Sequence, residues 1–257
     1  MNAVMRPSVS VVIPALNEER NLPLIALAMP PEIDEIIVVT GDSQDNTTAE
    51  GHRLWPSGTH LRQSRRGKGN ALACGFAVAS GDVIVALDAD GSADPAEIPR
   101  LVDALVAGAD FAKGSRFARG NRRADITWFR AVGNKLLNGL VNILFRAHYT
   151  DVCYGFGAFW RHCLDVIDMP DVAVSTPQWG DGVEVETLIN VRLAACGARV
   201  VEVASPESGR IPDYGSANAI SDGLRTLCTV RREFRRARTA SRSSAARTRG
   251  LRQVERG

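Results

Sequence analysis

The first half of the chain alternates short apolar runs with longer amphipathic stretches. Ser8-Val9-Ser10-Val11-Val12-Ile13-Pro14 is β-branched and stopped by a proline, which predicts a buried strand. Asn17 to Met29 predicts a helix: Asn17 caps it, acidic residues fill its first turn, and Leu22, Ile25, Ala26 and Met29 recur at helical spacing. Strands follow at Glu35 to Val39, near His60 to Arg62, at Asp82 to Leu87 and at Ala109 to Lys113. Helices fall between them at Ser43 to Leu54, at Lys68 to Ala79 and after Asp94, with Pro95 in the first helical position. Apolar runs this poor in alternation suit a sheet covered on both faces. Strands alternating with helices imply right-handed parallel βαβ units, and ligands of such sheets gather at the carboxyl ends of the strands. The polar clusters after Pro14, Val39 and Leu87 should therefore converge on one crevice.

The rhythm changes after about Gly120. Trp128 to Phe145 predicts an amphipathic helix whose wide apolar face suits either core or a lipid interface. Cys153 to Trp160 is aromatic and glycine-rich, and hints at a specialised substrate. Glu184 to Cys196 predicts a helix and Arg199 to Val203 a strand. A last helix is expected from about Ala217 into the tail, with disorder beyond Arg238.

Composition narrows the class. Of 257 residues, 45% are apolar and 23% charged, which excludes a mainly disordered or disulfide-scaffold chain. No apolar run approaches the roughly 18 residues of a membrane span, and Val9 to Leu16 is too short and too broken to be a signal peptide. Five cysteines without metal or CxxC spacing point to reduced thiols and a cytoplasmic location. The net charge of +2 is uneven: Arg231 to Gly257 holds ten Arg and two Glu, a balance of +8, leaving −6 for the first 230 residues. Such a tail suits anionic lipid, whereas the acidic body argues against a broad nucleic-acid footprint.

The candidate chemistry centres on Asp88-Ala89-Asp90. Two carboxylates at i and i+2 beyond a strand end can share a hard divalent cation with substrate phosphates. Alone, Asp-x-Asp is also the pattern of a solvated loop. Here it sits among Pro14-Ala15-Leu16-Asn17-Glu18-Glu19, Gly41-Asp42-Ser43, Arg66-Gly67-Lys68-Gly69 and Gly114-Ser115-Arg116, each at a strand end or helix start.

In this order the motifs resemble family 2 glycosyltransferases, and most of all the branch acting on dolichyl and polyprenyl phosphates; the likeness covers about Val9 to Arg236. The resemblance implies an α/β GT-A fold: a Rossmann-like, mostly parallel central sheet flanked by helices, in one compact unit. Residues 1–115 would form the nucleotide-sugar half and 116–237 the acceptor half, with 238–257 a basic tail. It implies a metal-dependent, inverting transfer of a hexose from a GDP- or UDP-sugar to a polyprenyl or dolichyl phosphate, at the inner face of the membrane. Pro14, Ala15, Asn17 and Glu18 would line the donor pocket, with Lys68 and Ala89 beside the phosphates. Asp88 and Asp90 would hold Mg²⁺ or Mn²⁺, and Asp90 and Arg116 would serve the leaving diphosphate. Arg116, Arg130 and Arg210 would bind the acceptor phosphate. One position departs from the family. An Asp usually follows the second strand and meets the base, but here Thr40 stands there, so base recognition is altered or has moved to Asp42.

A hydroxyl acceptor would need a carboxylate base. Asp181 is the first candidate, followed by Glu184 and Glu186. The alternative function is accordingly the same transfer to a soluble hydroxyl compound, and a remoter one is a non-catalytic sugar-nucleotide-binding protein. A nucleotidyltransferase or an NAD enzyme is disfavoured, because neither GxGxRxxPLT nor GxGxxG follows the first strand. A thermal-shift screen of UDP- and GDP-sugars with and without Mn²⁺ should give a metal-dependent shift with one nucleotide. No shift with any of them would mean that the Thr40 departure marks a changed or lost donor site.

Overall fold

The computed structural model describes residues 6–118, 128–206 and 223–239. Seven strands form one sheet in the order β3-β2-β1-β4-β6-β5-β7. They are β1 (Val9–Ala15), β2 (Glu35–Thr40), β3 (Thr59–Arg62), β4 (Val83–Ala86), β5 (Phe111–Ser115), β6 (Gly157–Trp160) and β7 (Val200–Ala204). The helices are α1 (Leu22–Ala28), α2 (Thr47–Leu54), α3 (Lys68–Val78), α4 (Ile98–Val106), α5 (Trp128–Phe145), α6 (Leu164–Ile167), α7 (Val185–Ala195) and α8 (residues 223–239).

Along β1 the side chains alternate as a pleated strand requires. Val9, Val11 and Ile13 pack with α1 and α4 on one face, while Val12 packs with α3 and α7 on the other. Both faces of the sheet are thus covered by helices, which is why these strands read as unbroken apolar runs. A third cluster, with Val141, Phe145, Val191 and Val230, joins α5, α7 and α8.

Six strands run parallel and β6 runs against them. It pairs antiparallel with β4 through Ala86↔Gly157 and with β5 through Lys113↔Gly157. The aromatic segment therefore contributes β6 and its core side chains to the sheet. Tyr154, Phe156 and Phe159 are buried, and Phe159 meets Phe76 edge to face. Because β6 lies between β4 and β5, the sheet is continuous across residue 115 and both halves share it.

The first helix begins later than the pattern predicts. Asn17 adopts a left-handed conformation, φ 60°, so it is a loop residue and not a cap. The helix starts instead at Leu22, with Pro23 in its first turn where the missing N–H costs nothing. The tail from residue 240 lies outside the described residues.

Helix α3 lies very close to the sheet. A Cβ on Gly75 would come within 2.3 Å of Val12 Cγ1, whereas one on Gly139 in α5 would meet no atom within 4 Å. Gly75→Ala should lower the urea-unfolding free energy by about 1–3 kcal/mol through overpacking. Gly139→Ala should raise it by about 0.5–1 kcal/mol by removing backbone freedom from the unfolded helix.

Candidate functional site

All six parallel strands end at one edge of the sheet. β6 adds the segment just before it, residues 151–156, to that same edge because it runs the other way. The site is assembled there.

The loops after β1 and β2 are tied to each other. Asn17 N–H donates to Ser43 Oγ at 3.2 Å, and Gln44 N–H to Asn17 Oδ1 at 2.7 Å. Glu18 N–H donates to Thr47 Oγ1 at 2.7 Å, and Asn46 N–H to Glu19 Oε2 at 2.9 Å. Pro14 and Ala15 close β1 beneath these loops. The donor-loop residues named from the sequence are thus neighbours. Thr40 is buried, and its hydroxyl donates to the Leu61 carbonyl across β3. Asp42 is mostly exposed and paired with Arg62. Such an exposed pair contributes little energy.

Asp88, Ala89 and Asp90 follow β4. Asp90 Oδ1 accepts from Ser92 N–H at 3.0 Å, and Ala89 is buried. Asp88 faces Lys68, the first residue of α3: the ammonium lies 2.7 Å from Oδ1 and 2.8 Å from Oδ2. The same ammonium donates to Glu186 Oε1 in the first turn of α7. Burial opposes the Lys68 charge, but Asp88 and Glu186 outweigh it and hold the ammonium protonated, above its ordinary value. Burial raises the Glu186 carboxyl; Lys68 opposes this and Asp88 adds to it. The three charged tips meet over Gly155, where a Cβ would stand 2.8 Å from Glu186 Oε1 and Lys68 Nζ and 2.9 Å from Asp88 Oδ2.

Arg116 follows β5. Its Nε and Nη2 donate to Asp151 at 2.7 and 3.0 Å, and Asp151 is fully buried. The guanidinium lies 5.0 Å from the centre of the Tyr154 ring, within cation–π range. Tyr154 in turn donates from its hydroxyl to the Ser92 carbonyl, 3.2 Å away on the loop beyond Asp90. Asp151, Tyr154 and Gly155 thus connect Arg116 to the Asp pair. Sequence reasoning did not single them out for this role; their signal is an acid and two small or aromatic residues leading into a glycine-rich strand. Glu186 was only a lesser base candidate.

Asp181 stands on the loop before α7. It is buried and held by Arg65 in a two-pronged pair, Nε–Oδ2 and Nη2–Oδ1 each 2.8 Å. Burial alone would raise its carboxyl, but hydrogen bonds from Arg65 and from Gln178 N–H, with the Arg65 charge, hold it below its ordinary 3.8. A carboxylate so stabilised is a poor proton acceptor. The neighbouring glycines pack against the same turn. Asn70 N–H donates to the Asp181 carbonyl at 3.1 Å, and a Cβ on Gly67 (φ 131°) or Gly69 would stand 2.1 Å from the carbonyl oxygen of Asp181 or 1.8 Å from that of Gly180. The start of α3 is therefore closed by residues 180–182, and Gly67-Lys68-Gly69 is not an open phosphate loop. Glu184 is fully buried and accepts from Gly180 and Gly182 N–H at 3.1 and 3.3 Å. The side chain of Arg130, and Arg210 as a whole, lie outside the described residues.

The donor set suits a hard cation. No group of three His, Cys, Asp or Glu among the described residues could cage a metal. Two carboxylates at one strand end, completed by substrate phosphates and water, match the needs of Mg²⁺ or Mn²⁺.

The profile of "Glycosyl transferase family 2" matches residues 10–167. A polyprenol monophosphomannose synthase of Mycolicibacterium smegmatis is 37% identical over 66% of this chain and 69% of its own length. An undecaprenyl-phosphate 4-deoxy-4-formamido-L-arabinose transferase of Aeromonas hydrophila is 34% identical over 62% of this chain and 51% of its own. A dolichol-phosphate mannosyltransferase of Pyrococcus furiosus is 31% identical over 63% and 48%. The match thus spans about half the length of the last two relatives. Among solved structures, glucosyl-3-phosphoglycerate synthase from Mycobacterium tuberculosis, with Mn²⁺, UDP and phosphoglyceric acid, superposes with a TM-score of 0.68 at 21% identity, over 87% of this chain and 77% of its own. At that identity the likeness is one of fold.

Breaking the buried Arg65–Asp181 pair should be costly. Asp181→Asn is expected to lower stability at neutral pH by about 3–5 kcal/mol, measured by urea unfolding. The folded carboxyl lies below 3.8, so this contribution is fully present above pH 3.8 and is lost as pH falls through the lower, folded value. The gap between wild type and variant should close in that acid range.

Proposed function

Because the chain belongs to glycosyl transferase family 2, in the branch of the polyprenol- and dolichol-phosphate mannosyltransferases, we propose that it moves a hexose from a GDP- or UDP-sugar to a polyprenyl phosphate. The observation that carries the choice of acceptor is the engagement of the carboxylates around the site. Asp181 is held by Arg65, Glu186 by Lys68, Asp151 by Arg116, and Glu184 is buried on backbone N–H groups. A hydroxyl acceptor needs a base to take its proton, whereas a phosphate monoester is already anionic and needs cationic neighbours instead. The polyprenol monophosphomannose synthase at 37% identity supports the same choice.

Asp88 and Asp90 would hold the divalent cation, which when bound neutralises the charge growing on the departing diphosphate. The tied loops after β1 and β2 form one wall for the nucleotide, fixed before it arrives. Asp151 orients the Arg116 guanidinium, so its direction is set without cost at the moment of reaction. Arg130 and Arg210 remain proposed contacts to the acceptor phosphate. No described helix is long and apolar enough to cross a membrane. Peripheral attachment to an anionic membrane surface is proposed instead. Leu136, Leu140 and Ile143 on one exposed side of α5 support it, as does the Arg-rich tail.

Asp88→Asn and Asp90→Ala should each lower sugar transfer by about a hundredfold or more while leaving the unfolding midpoint near wild type. The assay is transfer of labelled sugar to polyprenyl phosphate. Wild-type turnover in both variants would sink the assignment, and label passing only to a soluble alcohol would replace the acceptor.

A further inference from the structure

One ammonium occupies the face of Asp88. Lys68 Nζ stands 2.7 Å from one carboxylate oxygen and 2.8 Å from the other, so it lies before both at once. A divalent cation bound to Asp88 sits about 2.0–2.2 Å from an oxygen and needs the same space. The two positive charges would also repel across a few ångströms in a partly buried site. Lys68 and the cation therefore exclude one another at Asp88.

Lys68 has a second anchor in Glu186, on a different element. The floor of the cluster is the Cα of Gly155, which lets the three tips converge. Releasing Asp88 leaves the lysine attached to α7, and a nucleoside diphosphate arriving with its cation offers the freed ammonium a new anion.

We propose that Lys68 is a built-in competitor for the cation at Asp88, so that the metal enters with the nucleotide rather than before it. This rests on the reading of Asp88 and Asp90 as the cation's ligands. Its consequence is an order of binding: the metal alone binds weakly, because it must break the Asp88–Lys68 pair and gives the ammonium nothing in return. Lys68 is in this respect a positioning residue, acting through Asp88.

Equilibrium dialysis of Mn²⁺ tests the idea, alone and with saturating UDP or GDP, with folding of each variant checked by thermal denaturation. Wild type should bind Mn²⁺ alone at least tenfold more weakly than with the nucleotide it accepts. Lys68→Met and Lys68→Gln should bind Mn²⁺ alone at least tenfold more tightly than wild type. Lys68→Arg, which keeps a cation on Asp88, should stay as weak as wild type. Neutral variants within twofold of wild type would overturn the proposal, as would a tenfold gain in Lys68→Arg. The arginine variant decides the matter if neither neutral variant folds. Failure of the underlying reading looks different: wild type then retains no Mn²⁺ with either nucleotide, or Asp90→Ala retains as much as wild type.

Discussion

β6 runs against its six neighbours, and the site depends on that reversal. A parallel strand in the same place would leave its leading segment at the far edge of the sheet. Because β6 is antiparallel, residues 151–156 arrive at the edge where β1, β2, β4 and β5 end. Asp151 then reaches Arg116, Tyr154 reaches the Ser92 carbonyl, and Gly155 lies beneath Lys68, Asp88 and Glu186. A single reversed strand joins the end of β4 to the end of β5 and to the start of α7.

Several charged side chains of this chain are buried, some at this edge and some elsewhere. Arg65 with Asp181, Arg116 with Asp151 and Arg192 with Glu233 are each largely withdrawn from water. Lys113 on β5 is fully buried with its ammonium on the Tyr154 carbonyl. Burial pushes it below its ordinary 10.5, against the pull of Asp151, Glu186 and Glu202. Such groups do little for net stability, since desolvation offsets most of the attraction. They do fix geometry, because losing one partner strands the other. The loops at the carboxyl ends of β3 and β5 are thus held by pairs that tolerate few alternative arrangements.

Much of this was legible in the sequence, for identifiable reasons. β1, β2 and β4 are covered on both faces, so they appear as continuous apolar runs. α5 spans Trp128–Phe145 as its stripe predicts, and α7 differs by one residue at each end. Asp88, Asp90, Lys68 and Arg116 stand next to strand ends or helix starts, where local pattern is informative. β6 was not legible, since four residues with a glycine carry no period and their direction is a tertiary choice. The Arg65–Asp181 pair was hidden for a related reason: its partners lie 116 residues apart, and nothing near either residue announces it. Asn17 reads as a cap because Asn before a helical stripe usually is one, but its side chain serves the loop after β2.

The glycines around α3 differ in what presses on them. At Gly67 and Gly69 the obstacle is main chain, which cannot step aside. At Gly155 the obstacle is the tips of Glu186, Lys68 and Asp88, which can. A methyl group there would leave the fold standing and merely move the point where three charges meet. Position 155 is therefore open to gradual drift in a way the other two are not. A lineage could retune the spacing of those three charges by small steps at a residue that carries no charge itself.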